Sequence, residues 1–483
     1  MAFRQNFMCL KPKPPPQKNK KNMRIVIVLL IIFISKNTSA QKVLKLDDFL
    51  ELISKNHPIA KQAQIRVDMS AAAFFAAKGV FDPVLTNETA KKTLDGKIYY
   101  NYQDTELKVY TPIGLTAKTG IENSNGMFSS NERTIGNLGY IGLEMPVLKG
   151  LLIDYQRAIL KQSAIYQKQS EEEKRQMLND LYLDAIQDYW QWTASYQNMD
   201  LLIQNLGNAK NRLNLLRIAF QNGDKSMNDT LEAYTQVQNI ELLYQEAQME
   251  AQTSAISLAK YLWNSNDSPY FLESGTIPDI VAFGLVSIED RTEELISLAK
   301  NQHPELGVYR FKMDALAVER TLKRQSLLPT ANLKMNILSK NYYNFESAYS
   351  PFLNNNYKFG FDFKMPLFLR EARGDYQKTL LKISETNSII SNKTWEIENK
   401  IRSYGVEQNA LKSQLITSQS MIINYRNLLK NEEFKLQQGE STLFLINSRE
   451  NKWIESLLKN QSLKLKYLKS AYKQLWAAGV LVK

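Results

Sequence analysis

The segment from Lys149 to Asn222 constrains the fold more than any other part of the chain. It contains no proline, and apolar side chains recur over 42 residues in 12 steps, a mean spacing of 3.5 residues. That spacing is the period of a coiled coil rather than of a solitary helix. We therefore predict one helix on the order of 110 Å long, at about 1.5 Å per residue, whose apolar seam packs against partner helices. The seam consists of Leu178, Leu181, Ala185, Tyr189, Trp192, Tyr196, Met199, Leu202, Leu206, Ala209, Leu213, Leu216 and Phe220.

A cytosolic coiled-coil rod would show the same period, so the first 40 residues matter. They contain eight basic residues and no acidic one, and residues 25–34 form an unbroken run of ten apolar residues. A basic start, a short apolar core and small residues before Gln41 predict a secretory signal peptide over 1–40. Residues 1–22 are an N-terminal extension if translation starts at Met23. An uncleaved anchor is the alternative, although ten apolar residues are fewer than the roughly 20 that span a bilayer.

Removal of this leader changes the charge of the chain. Its 61 basic and 49 acidic residues give +12, of which the leader supplies +8 and the other 443 residues +4. A nearly balanced chain has no general attraction for nucleic acid, so no nucleic-acid partner is expected. The only cysteine, Cys9, precedes the apolar run. The exported chain is therefore expected to be stabilised by packing and oligomerisation rather than by disulfides.

Several motifs of the first half recur in the second half. LISKNHP at 52–58 matches LAKNQHP at 298–304, and the two His-Pro pairs lie 246 residues apart. Pro83 and Pro329 are separated by the same distance. Met145-Pro146 and Gly223 correspond in the same order to Met365-Pro366 and Gly439. This order predicts an internal duplication.

Each repeat is predicted to contain a short helix, strands, a long helix, a glycine turn and a return helix. The first repeat, 41–286, has its short helix at about 44–78, strands in 83–148, the long helix at 151–222, the return helix at 226–264 and an equatorial segment at 265–286. The second repeat, 287–483, has its short helix at about 289–326, strands in 330–366, the long helix at 370–438 and the return helix at 441–478. Ser226 and Ser441 are placed to cap the return helices. Because each return helix covers about half of its long helix, the short helix of the other repeat is predicted to cover the rest.

Residues 357–364, YKFGFDFK, alternate between aromatic and polar side chains, which predicts a strand with one apolar face. Residues 333–337 begin its partner, with 341–356 as the loop, and the first half offers strands near 106–110, 115–122 and 138–147. We therefore expect a mainly α-helical fold with about four long strands per chain. Four strands cannot close a barrel, but three chains would supply a 12-stranded transmembrane β-barrel. A soluble β-sandwich is the alternative.

With these features the chain resembles the TolC-like outer-membrane efflux protein family, the outer membrane factors. The resemblance lies in VLKLDDFLELISKNHP (43–58), RTEELISLAKNQHPEL (291–306), MPVLKGLLIDYQRA (145–158) and NGDKSMNDTLEA (222–233). It implies a homotrimer with a 12-stranded barrel in outer-membrane lipid and an α-helical tunnel across the periplasm. It also implies partners: a periplasmic adaptor (membrane fusion) protein and an inner-membrane transporter of a drug-efflux or type I secretion system.

The same resemblance places the adaptor-binding and gating end at the two glycine turns. Leu445 and Ser448 stand where family members often carry aspartates, whereas Asp229 matches, so the chain departs from the family at a cation-binding ring. Asp224 and Glu440 are the nearest acidic residues. The residues assigned to this end are Gly223, Asp224, Ser226, Asp229, Gly439, Glu440, Ser441, Leu445 and Ser448.

No residue pattern indicates catalysis, a cofactor or a metal site. His57 and His303 hold equivalent positions before proline, which indicates a structural role, and no Cys/His cluster is present. The tryptophans Trp190, Trp192, Trp453 and Trp476 lie in helical stretches and are expected to pack. The function expected is a passive, non-enzymatic exit duct in the outer membrane for small molecules or secreted polypeptides. The alternative is an exported coiled-coil scaffold with a soluble β-sandwich.

Overall fold

The computed structural model describes residues 42–128, 133–284, 291–340 and 355–482. The predicted signal peptide at 1–40 and most of the predicted loop at 341–356 lie outside the described residues. The described helices are α1 (Leu46–Asn56), α2 (Pro58–Lys78), α3 (Tyr155–Gln221), α4 (Met227–Ser257), α5 (Ile280–Gly284), α6 (Thr292–Gln302), α7 (Pro304–Gln325), α8 (Arg370–Gln437) and α9 (Leu443–Ala477). The described strands are β1 (Val43–Leu44), β2 (Val84–Leu94), β3 (Lys97–Tyr110), β4 (Thr116–Asn125), β5 (Gly136–Pro146), β6 (Ile277–Pro278), β7 (Thr330–Lys340) and β8 (Tyr357–Lys364).

Two long helices, α3 and α8, set the dimensions of the protein. They contain 67 and 68 residues, so each is about 100 Å long. Helix α3 begins four residues later than predicted, because the Asp154 side chain caps it by accepting a hydrogen bond from the backbone N–H of Arg157. Both long helices start at the sheet and run away from it. We call their two limits the sheet end and the turn end.

The shorter helices lie beside these two and form a wall one helix thick. Near the turn end the order across the wall is α4, α3, α9, α8, and near the sheet end it is α2, α3, α7, α8. The prediction that α3 takes a short helix of the other repeat as a neighbour is confirmed by α7. The corresponding prediction for α8 is wrong within one chain, because α8 packs against α7 of its own repeat, and α2 lies on the far side of α3.

An aromatic core holds the middle of the wall together. Tyr189 and Trp192 of α3 are fully buried against Phe49 of α1 and Phe283 of α5. The Tyr189 hydroxyl donates to the carbonyl of Leu44 and accepts from the backbone N–H of Asp279, so it joins the segments that form the short β1–β6 pair. The predicted packing role of Trp190 and Trp192 is confirmed by their burial.

Each predicted short helix is broken at its His-Pro pair, which gives α1 and α2 in the first repeat and α6 and α7 in the second. The residue before a proline is driven into an extended conformation, and proline lacks an N–H. In each repeat the histidine Nδ1 then caps the next helix, accepting from the backbone N–H of Ile59 or Glu305 at 3.2 Å.

The same two histidines join stacked helices. The other ring nitrogen of His57 lies 3.3 Å from the carbonyl oxygen of Lys260, just beyond the end of α4. His303 makes the equivalent hydrogen bond to the carbonyl of Ala477, at the end of α9. Each imidazole therefore links the end of a return helix to the start of a short helix, and it must be neutral to accept at Nδ1 while it donates from Nε2.

Acidification is expected to weaken the link that His303 forms between the end of α9 and the start of α7. Burial lowers the pKa of His303 from 6.5 to about 4, against a smaller opposing effect of Glu305. The unfolded chain thus takes up the proton first, and stability falls as pH drops from 6.5 towards 4. A fall from pH 6.5 to 5 should remove about 1.6 kcal/mol of unfolding free energy, because the slope approaches about 1.4 kcal/mol per pH unit only below the unfolded pKa. His303→Asn keeps a capping oxygen without a titrating ring, so its denaturation midpoint should depend less on pH. Equal pH dependence in the two proteins would contradict this.

Six of the described strands form one antiparallel sheet in the order β2-β3-β4-β5-β7-β8. The described sheet therefore has more strands than the four predicted per chain. The 12-stranded barrel of three chains stays a prediction, because a single chain does not test it. The parts of the sheet that were not predicted are β2 and the distal part of β3, which extends well beyond the predicted segment 106–110. Both carry polar residues on both faces, such as Asn87 and Glu88, so the alternation that indicates a strand is missing.

Candidate functional site: the turn end and the outer face of the sheet

The two glycine turns lie at the same end of the wall. Helices α3 and α8 both leave the sheet, so the turns that follow them lie at the far end from it. Gly223 and Gly439 have φ of +82° and +78°, a conformation that glycine adopts without strain. The backbone N–H of Asp224 donates to Ala219 O, and that of Glu440 donates to Lys435 O, both at 2.9 Å. The two turns thus use the same helix-ending hydrogen bond.

The helices that return from these turns begin differently. Ser226 and Asp229 form a capping box, in which Asp229 N–H donates to Ser226 Oγ at 3.2 Å and Ser226 N–H donates to Asp229 Oδ2 at 3.0 Å. The predicted cap at Ser226 is confirmed. The predicted cap at Ser441 is wrong, because α9 begins after Thr442 without a side-chain cap and the Ser441 hydroxyl donates to Glu432.

The predicted site residues do not converge on one pocket within the chain. Asp224, Glu440, Leu445 and Ser448 are exposed around the two turns. Sequence reasoning missed most of the large apolar side chains exposed beside them, whose positions off the predicted seam were the available signal. The side chains exposed there are Ile218, Phe220, Met227, Leu231, Phe434 and Phe444. Sequence reasoning wrongly placed one of them, Phe220, in that buried seam, whereas the side chain is 43% exposed.

A buried ion pair joins the two helical hairpins behind the turns. Both terminal guanidinium nitrogens of Arg212 in α3 donate to the Glu450 carboxylate of α9, at 3.0 and 2.8 Å. Gln236 of α4 donates to the same carboxylate at 2.9 Å. Closer to the turns, the side-chain amide of Asn447 donates to the carbonyl of Glu232. The α3–α4 hairpin and α9 are therefore held by specific polar contacts as well as by apolar packing.

The two faces of the sheet differ in chemistry. On the outer face, Phe359, Phe361 and Phe363 of β8 are more than half exposed, beside Ile141 and Leu143 of β5. The other apolar residues of this face are Leu85, Leu107, Val109, Ala117, Ile121, Met145, Leu333, Met335 and Ile337. Such a contiguous apolar face needs a covering of lipid or protein.

The inner face is polar and charged. Lys334 forms an ion pair with Asp362 at 2.6 Å, and Lys118 lies 4.0 Å from Glu106. At the junction of the sheet with α3, the buried Arg157 pairs with Asp154 at 2.9 Å and donates to the carbonyls of Leu151 and Ile113. This guanidinium fixes the turn between β3 and β4 against the start of the long helix.

No helix among the described residues has both the length and the apolar character needed to cross a membrane. Within the same residues, no group of three or more His, Cys, Asp or Glu side chains is arranged to hold a metal ion.

Solved structures with a similar architecture include outer-membrane channels. The CmeC outer membrane channel of Campylobacter jejuni is 16% identical, with a TM-score of 0.59 over 90% of this chain and 85% of that one. The outer membrane protein VceC of Vibrio cholerae is 13% identical, with a TM-score of 0.59 over 90% and 96%. The MtrE outer membrane channel of Neisseria gonorrhoeae, in its open state, is 11% identical, with a TM-score of 0.61 over 90% and 88%.

No protein-family model and no curated protein sequence matches the chain. The likeness thus lies in architecture rather than in shared residues, and it extends over nine tenths of the chain. The chain has the fold of these outer-membrane channels, in agreement with its resemblance to the TolC-like outer-membrane efflux proteins.

Proposed function

We propose that the protein is the outer-membrane exit duct of an efflux or type I secretion system, and that it acts as a homotrimer without catalysis. The observation that carries the proposal is the junction of two helices about 100 Å long with a sheet whose outer face is apolar and whose inner face is charged. A closed sheet of this kind would present its apolar face to lipid and its polar face to a water-filled passage. The long helices would continue that passage through the periplasm.

The free edges of the wall support assembly with further copies. One edge is formed by α8, where Trp395, Val406, Ile416 and Ile423 are more than half exposed. The opposite edge is formed by α2 and α4, where Phe75, Leu242, Met249 and Ile256 are equally exposed. A neighbouring copy related by rotation would bring the two edges together, as in a heterologous ring. Helix α8 would then meet α2 of the next copy, which is the short helix of the other repeat.

The turn end would face the rest of the export system. In this proposal the exposed apolar residues around Gly223 and Gly439 dock a periplasmic adaptor protein, which connects the duct to an inner-membrane transporter. Exposed apolar side chains rimmed by charged ones, such as Asp224 and Glu440, are typical of protein docking surfaces.

The proposal is tested by reconstituting the purified protein in planar lipid bilayers. We expect discrete conductance steps and three-fold particles by electron microscopy. A monomer without conductance would refute the duct. At the turn end, Asp224→Cys and Glu440→Cys should crosslink to a co-expressed candidate adaptor, whereas the control Asp267→Cys, near mid-height, should not.

The alternative of a scaffold with a soluble β-sandwich is less well supported. A sandwich buries its apolar faces between two packed sheets, whereas six of the described strands form one sheet with its apolar face exposed. Extraction of membranes with carbonate separates the two proposals, because a scaffold should be released and an integral duct should not.

A further inference from the structure

We infer that the β8 edge of one copy pairs with the β2 edge of the next, so that the membrane barrel has eighteen strands, six from each chain. The inference rests on the proposed trimeric duct and defines the interface that closes it. Within the described chain, β2 and β8 are the two edges of the sheet. Exposed strand edges carry unpaired N–H and C=O groups, which no membrane protein leaves open to lipid.

Strand β3 is an integral part of this sheet, so the β2–β3 hairpin cannot be left out of the barrel without breaking contacts between strands. Ten consecutive residue pairs join β3 to β4. In addition, the Tyr140 hydroxyl of β5 crosses β4 and donates to Glu106 of β3 at 3.0 Å. It crosses above Gly120, where a Cβ atom would lie 2.5 Å from the tyrosine ring. A four-stranded contribution starting at β4 would require all these contacts to break.

The direction of the edge strands permits the pairing. Strand β2 runs away from the helices and β8 runs towards them, so neighbouring copies in a ring place the two strands antiparallel. The edges also correspond to those of the helical wall. Strand β2 follows α2 at one edge, and β8 precedes α8 at the other. One rotation therefore closes both the helices and the sheet.

The width of the helical wall, compared with the width of the sheet, favours six strands per chain over four. Four helices abreast, at 8–10 Å spacing, occupy about 32–40 Å per chain. Strands spaced about 4.8 Å apart and tilted by 35–45° each occupy about 6–7 Å of circumference. Six strands then occupy about 35–41 Å and four only about 23–27 Å. Only the six-stranded contribution matches the helical wall at this tilt.

The outer face of the hairpin is more polar than that of the other strands. Asn87 accepts hydrogen bonds from Thr105 at 2.8 Å and from Gln103 at 3.3 Å. Because these three side chains form hydrogen bonds with one another, it costs less free energy to place them in the wall of the barrel. Because barrel diameter grows about linearly with strand number, eighteen strands give a passage about 1.5 times as wide as twelve.

Crosslinking from β8 tests the inference. In a Cys9→Ser background, Phe361→Cys is combined with Leu85→Cys, Asn87→Cys or Thr89→Cys of β2, or with Ala117→Cys, Thr119→Cys or Ile121→Cys of β4. All these positions face outward. Within one chain β8 is three strand spacings from β4, about 14 Å, which is beyond the reach of a disulfide. We expect covalent dimers and trimers from a β2 position. The pair Phe361→Cys and Leu333→Cys, directly opposite in one chain, is the control and should change no mass.

Covalent trimers through β4 would overturn the inference and leave the duct intact. If neither strand crosslinks, the count of strands in a cross-section of the particle by electron cryomicroscopy decides: eighteen supports the pairing and twelve refutes it. Absence of any trimer or conductance would instead refute the proposed function itself.

Discussion

Replacing Phe361 by arginine is expected to prevent assembly in the outer membrane, at a cost of about 2–4 kcal/mol per copy if the residue lies near the bilayer midplane. Phe361 is 56% exposed in the single chain and lies in the row of aromatic residues on the outer face of β8. In a trimer the charge is introduced three times around the barrel. We expect the variant to be lost from the outer-membrane fraction and to give no conductance.

The matched control places the same charge on the other face. Asn332 of β7 lies directly opposite Asp362 of β8, on the inner side of the sheet. Asn332→Arg would therefore face the proposed passage and an acidic partner, and such cross-strand charge pairs are mildly favourable. This variant should assemble, with changed ion selectivity. Membrane fractionation and single-channel recording measure both. Normal assembly of Phe361→Arg would show that this face does not contact lipid.

The long helices could be predicted from the sequence because their determinants are local. The seam of 3.5-residue period in α3 and the glycine after each long helix are visible along the chain, and the observed turns lie at Gly223 and Gly439. The His-Pro pairs likewise indicated equivalent positions in two repeats. Their effect on the short helices was underestimated, since each proline ends one helix and starts the next.

The β2–β3 hairpin could not be recognised by alternation. Strand β2 and the distal part of β3 carry polar residues on both faces, and β3 is linked to β5 by Tyr140, which is distant in sequence. One local signal was available: Asp95-Gly96 is a typical two-residue hairpin turn, and both residues have positive φ, at 52° and 73°. The count of four strands would have been corrected by giving that dipeptide more weight than the missing apolar face.

The Arg212–Glu450 ion pair lay beyond sequence reasoning for a different reason. Its residues are 238 positions apart and belong to helices of different repeats. Each charge alone looks like an ordinary surface residue of an amphipathic helix. Only the packing of α9 against α3 and α4 shows that Glu450 is buried and that two side chains from another hairpin satisfy it.

Replacing Arg212 by methionine is expected to reduce the stability of the helical wall by about 3–5 kcal/mol. The Glu450 side chain is only 4% exposed, so the variant leaves a buried carboxylate with Gln236 as its remaining donor. An uncompensated buried charge costs more than the pair contributes. The double variant Arg212→Met/Glu450→Met removes that charge, and Gln236 keeps its hydrogen bond to Asn451 at 2.8 Å. It should therefore recover most of the lost stability.

Lys210→Met is the control for the loss of a positive charge, since Lys210 lies on the same helix and pairs with Glu241 at 3.4 Å on the surface. Exposed pairs of this kind contribute about 0–1 kcal/mol. Denaturant unfolding followed by helical circular dichroism gives the three free energies. If Arg212→Met and Lys210→Met cost the same, Glu450 is hydrated and the pair does not hold the hairpins together. If only Arg212→Met is costly and the double variant recovers, the wall near the turn end is stabilised by a buried charge that needs its partner. Separation of α9 from the α3–α4 hairpin would then carry that cost as well, because parting them exposes the same unpaired groups.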